Sequence, residues 1–151
     1  MASLHETRGA RLLLYLSAVA LILTALMRAW FTSNAGGGHS SIGLWGIEVC
    51  ANGCAGIRWD NTRVGDEVYI AGYLAVAASF VTAALALLLA YQKTPSAMLL
   101  KRTKHAALLT LGAMAAFFAF TFVFDGLYGL SPNWALFVGP AAAFGVYRVA
   151  R

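Results

Sequence analysis

Charge is what this chain has least of: 11% of its residues are Asp, Glu, Lys or Arg, against 60% hydrophobic. A soluble domain of 151 residues hides some apolar surface, but not in long unbroken runs. Catalytic furniture is scarce as well. There are two cysteines, three histidines and six acidic residues. Quinone-linked disulfide oxidoreductases need a reactive pair plus a relay, commonly a second cysteine pair. Here Cys50 and Cys54 are the only cysteines, spaced by three residues. Metal and haem sites need convergent ligands. His5, His39 and His105 are far apart in sequence, so no metal and no cofactor is expected. Transporters show broken helices or polar groups at mid-membrane. Ser79 and Thr82 are too mild for that, and Thr110 and Thr121 lie toward the ends of their segment.

What is present is apolar sequence in long stretches. A bilayer core takes about 20 apolar residues as a helix. Residues 12–30, 68–91, 106–124 and 130–147 qualify or nearly qualify. The fourth is weakest, since Ser131, Pro132 and Asn133 erode its start; its alternative is an interfacial or re-entrant piece. The first follows Arg8 and Arg11 as a signal peptide would, but it is too long and lacks a clear cleavage site, so it reads as retained. The expected fold is an all-α membrane protein: one four-helix transmembrane bundle over 1–151, with helices about 12–31, 68–91, 105–124 and 130–149. A loop over 32–67 lies outside, carrying a small extracytoplasmic β-hairpin or sheet.

Basic residues set the orientation. With four spans, both termini and the connection 92–105 share one side, which holds eight of the eleven Lys and Arg residues. That side should be cytoplasmic, in a plasma membrane or bacterial inner membrane. The +5 net charge is then an inner-face excess and not a nucleic-acid signature. Lys101, Arg102 and Lys104 should touch anionic headgroups, at about 1 kcal/mol each. Arg28 and Asp125 sit at the outer boundary and could bridge helices one and three; alternatively each snorkels into headgroups.

Rows of small residues allow close helix packing in lipid. Ala71, Ala75, Ser79 and Ala83 form one. Gly112 with Ala116, Ala115 with Ala119, and Gly139 with Ala143 form others. All are expected to face bundle neighbours.

Both cysteines fall on the outer, usually oxidising side, so a disulfide is expected. The stretch 50–54 has turn chemistry, with Gly53 at the left-handed position of a three-residue hairpin loop. The register then pairs Cys50 with Cys54, Val49 with Ala55, Ile47 with Ile57 and Trp45 with Trp59. One face carries Trp45, Ile47, Val49, Ala55, Ile57 and Trp59 and should lie on the bundle. Leu44, Glu48 and Arg58 belong to the other. A Trp45–Trp59 cross-strand pair would add roughly 0.5–1 kcal/mol. The alternative is an irregular loop holding a local disulfide.

Trp30, Gly43-Leu44-Trp45, Cys50 and Cys54, in that order in a first outer loop between two hydrophobic segments, resemble the claudin and peripheral myelin protein superfamily. The resemblance implies four spans, cytoplasmic termini and an outer β-sheet that includes the cysteine hairpin. The cysteines are closer than usual, the outer loops shorter, and the C-terminus ends in Val149-Ala150-Arg151 without a scaffold-binding signal. These departures argue against a paracellular barrier and look more like a divergent bacterial relative. The expected role is non-enzymatic: a structural or interaction protein with a membrane-protein partner or a second copy of itself, and no nucleic acid. The alternatives are an accessory subunit of a larger membrane enzyme and a thiol–disulfide oxidoreductase.

Overall fold

The computed structural model describes residues 8–27, 30–33, 39–50, 54–58, 66–125 and 131–151. Along the chain run α1 (Arg8–Leu26), β1 (Phe31–Ser33), β2 (His39–Gly43), β3 (Gly46–Cys50), β4 (Cys54–Arg58), α2 (Asp66–Tyr91), α3 (Ala97–Asp125), β5 (Ser131–Pro132) and α4 (Ala135–Val149). α1 packs against α2 and α4, and α3 packs against the same two helices, while α2 and α4 meet only slightly across the bundle.

The small-residue rows of α2 and α4 face inward: Ala71, Ala75, Ser79 and Ala83 on α2 are all buried, as are Gly139 and Ala143 on α4. The exterior carries many large apolar side chains, including Leu12, Leu16, Leu23, Ile70, Val81, Leu88, Phe122 and Phe137. Water would penalise so wide an apolar exterior; lipid does not. Three helices, Arg8–Leu26, Ile70–Tyr91 and Ala97–Phe122, are long and apolar enough to cross a membrane.

Several helix boundaries differ from the sequence expectation. α1 ends at Leu26, because Phe31 is already paired in β1 with Ile42. α2 begins slightly early, at Asp66. α3 starts at Ala97 and not at 105, because the Ser96 side chain accepts a hydrogen bond from the Leu99 N–H at 3.2 Å, an N-cap arrangement. Its 29 residues reach about 44 Å at ~1.5 Å per residue, against a hydrocarbon core of ~30 Å. α4 starts at Ala135, since Ser131 and Pro132 pair with Thr32 and Phe31. Its 15 residues span about 22 Å.

α3 also presents a different face from the one its small residues suggested. Gly112, Ala115 and Ala119 are exposed and Ala116 is half-buried, and a side chain at Gly112 would meet nothing within 4 Å. The buried face is Thr103, Ala107, Thr110, Met114, Phe117 and Thr121. Spacing alone does not say which side of a helix faces its neighbours. The threonines mark it, because a hydroxyl is more costly in lipid than against protein. Thr103 and Thr110 donate to the carbonyls of Leu99 (2.8 Å) and Ala106 (3.0 Å) in the preceding turn. That uses the only Thr110 hydroxyl proton, so Thr82 is the donor in the 2.9 Å Thr82–Thr110 bond tying α2 to α3.

Candidate functional site: the outer sheet and its anchor

The sheet has strand order β4-β3-β2-β1-β5. All its pairs are antiparallel, and it draws strands from both the α1–α2 and the α3–α4 connections. The β3–β4 ladder has the register expected from the turn: Ile47 opposite Ile57, Val49 opposite Ala55, and Cys50 opposite Cys54. A bond between the two sulfurs involves the Cys54 side chain, which lies outside the described residues, and so does Trp59.

The ladder stops at Gly46 opposite Arg58, so Trp45 is not in the strand. Gly43 pairs with Gly46 across β2 and β3, leaving Leu44-Trp45 as a two-residue hairpin loop. Trp45 lies against the bundle as expected, but from a turn and not from a strand. Leu44, assigned to the polar face, is fully buried, whereas Ala55, assigned to the bundle side, is exposed on edge strand β4. Period-two alternation holds only inside a strand, and Leu44 lies beyond the end of β3.

Two tryptophans hang the sheet from the bundle. An α-helix leaves its last carbonyls without helical partners. The Trp30 indole N–H donates to the Thr24 carbonyl at 3.1 Å, and the Trp45 indole N–H donates to the Ala25 carbonyl. The rings then reach the other helices. Trp30 meets Phe117 of α3 edge-on, with centroids 6.0 Å apart and planes at 80°; Trp45 meets Tyr73 of α2 at 5.8 Å and 77°. Beside them Phe31 lies 6.0 Å from Phe118.

Trp30 is also the backbone junction. Its N–H donates to the Ile42 carbonyl (2.6 Å) and its carbonyl accepts from the Asn133 N–H (2.8 Å). It is fully buried, so one residue joins the α1–α2 loop, the α3–α4 connection and α1.

The basic cluster divides. Lys101 and Arg102 are exposed, while Lys104 is half-buried with its Nζ 5.7 Å from the centre of the Tyr147 ring on α4. Arg28 and the Asp125 side chain, expected as an interhelix bridge, lie outside the described residues. Among the described residues no three His, Cys, Asp or Glu side chains gather where a metal ion could sit. The arrangement offers a sheet surface braced on the helices by two tryptophans and a separate cationic strip at the opposite end of α3. The chain matches no protein-family model and no curated protein.

Proposed function

We propose that this chain is a claudin-like integral membrane interaction protein. Its four helices cross the bilayer with both termini in the cytoplasm, and a Cys50–Cys54 disulfide staples the outer sheet. That sheet is the surface offered to a membrane-protein partner or a second copy. What supports this reading above all is the double suspension of the sheet from α1, through Trp30 on the Thr24 carbonyl and Trp45 on the Ala25 carbonyl. Holding a surface rigid before contact removes an ordering cost that binding would otherwise carry.

Crosslinking in native membranes, followed by extraction in mild detergent and native mass measurement, tests the proposal. The expected result is a defined assembly whose crosslinks map to residues 39–58. A strictly monomeric chain, or crosslinks confined to the helices, refutes it. A fixed place in a large enzyme complex turns the reading into an accessory subunit. Reduction with dithiothreitol followed by fast reoxidation by a quinone turns it into an oxidoreductase.

A further inference from the structure

At the end of the bundle opposite the sheet, α2 and α3 leave a groove of about 510 Å³ between them. That volume falls in the range of ~300–1,000 Å³ typical of small-ligand sites. Val81 and Leu85 of α2 form one wall. On α3, Met98, Lys101, Arg102, His105 and Ala106 share one face at helical spacing and form the other.

The groove wall is almost wholly apolar, and Lys101 and Arg102 line it with their aliphatic stems. The Thr82–Thr110 bond sets α2 and α3 level with each other. From Thr110, at ~1.5 Å per residue, Ala106 lies about 6 Å toward the start of α3, and Lys101 and Arg102 about 12–14 Å. Val81, Leu85 and Ala106 therefore lie deep along the bundle, and the exposed Lys101 and Arg102 stand at the shallow end, where their side chains can swing a charge over the groove mouth. His105 stands between them, its ring held by an Nδ1–H donated to the Lys101 carbonyl at 2.6 Å. Among the described residues neither Lys101 nor Arg102 has an ion-pair partner. Lys104, the third cation of the cluster, is turned to Tyr147 and does not line the groove.

We infer that this groove binds one anionic phospholipid of the leaflet at the α2–α3 turn. An acyl chain lies along Val81, Leu85 and Ala106, and the phosphate accepts hydrogen bonds from Lys101 and Arg102. A phospholipid has this same gradient, apolar in depth and negative at the surface, and the charges are complementary. Val81 at the apolar end is itself 54% exposed, so an acyl chain can enter the groove sideways. The inference rests on the membrane placement proposed above, but not on the outer partner.

Native mass spectrometry of the full chain, with phosphatidylglycerol or phosphatidylcholine added in detergent, tests it. The expected result is one retained phosphatidylglycerol, preferred over phosphatidylcholine. Lys101→Gln and Arg102→Gln should each weaken it about fivefold, the equivalent of ~1 kcal/mol per cation near a membrane surface. Val81→Trp, at a position already 54% exposed, fills the apolar end without touching charge and should also release the lipid. Lys104→Gln removes the same charge outside the groove and should change little.

Equal retention of the two lipids overturns the inference and leaves the groove to apolar side chains of a protein. Lys104→Gln weakening binding as much as Arg102→Gln overturns it in favour of diffuse surface attraction. Retention of neither lipid overturns the inference alone; the membrane placement is read separately, by whether the chain stays in the membrane pellet after alkaline carbonate extraction.

Discussion

The indole N–H of Trp45, at the tip of the β2–β3 hairpin, donates to the carbonyl of Ala25 in the last turn of α1. A residue of the outer sheet thereby completes the hydrogen bonding of a helix. Trp45→Phe keeps a ring against Tyr73 but leaves that carbonyl without its partner. It should cost about 1 kcal/mol, seen as a lower Tm in detergent. Trp45→Ala loses the ring as well and should cost more. A Trp45→Phe protein that melts with the wild type would show that the anchor is ring packing alone.

The Thr82–Thr110 bond links α2 and α3 inside the bundle. Thr82→Val and Thr110→Val, singly and together, make a double-mutant cycle in which the coupling should be favourable and modest, about 0.6 kcal/mol. Reversible unfolding in mixed micelles measures it. Strict additivity of the two changes would mean that the hydroxyls contribute nothing to each other.

Gly139 and Gly112 look alike in sequence and should respond oppositely. A Cβ at Gly139 would stand 3.2 Å from Met114 Cε and 3.4 Å from Thr24 Oγ1, whereas at Gly112 it meets nothing within 4 Å. Gly139→Ala needs only a small shift of the flexible Met114 end and should be tolerated. Gly139→Leu overpacks the contact of α4 with α1 and α3 and should cost about 1–3 kcal/mol. Gly112→Leu faces outward and should stay within ~0.5 kcal/mol of the wild type. Thermal melts of the three variants decide this; a destabilised Gly112→Leu would place a neighbour on that face.

Cys50 and Cys54 stand opposite each other in the β3–β4 ladder. Protein denatured without reductant should take up no maleimide, and after dithiothreitol it should take up two, one for each cysteine of the chain. Replacing both with alanine should loosen the hairpin by about 2 kcal/mol, through the loop-closure entropy of so short a ring. Hydrogen exchange across 46–58 reads that loosening directly. Labelling before reduction would remove the staple from the proposed surface.

Much of the helical frame could be read from the order of residues. Long uncharged runs locate α1, α2 and α3, and the turn at 50–54 sets the β3–β4 register, because both signals are local. Two helix starts are set by interactions that hydropathy does not register. Ser96 capping Leu99 carries α3 four residues ahead of its first cation, Lys101, and the β1–β5 pairing delays α4 to Ala135. The cap was legible in Pro95-Ser96-Ala97; the strand was not, because its partner Phe31 lies about a hundred residues away, a contact with no short-range trace.

The outer site divides in the same way. Its residues Trp30, Leu44, Trp45, Cys50 and Cys54 stand out in the sequence, but not what they touch. Trp45 was expected beside Trp59 in a ladder, yet it lies in a turn and caps α1. A side chain with one polar atom and a large ring takes whatever buried acceptor the assembled fold leaves open, and here that acceptor is the end of another element. The same holds for the α3 faces and for the separation of Lys104 from Lys101 and Arg102. Composition and short-range spacing determined which segments are helices, how long their apolar stretches are and where the hairpin turns. Which face of α3 points inward, where the tryptophans find acceptors and which cations line a groove were decided only by the neighbours, because each depends on atoms brought together by packing and not by the chain.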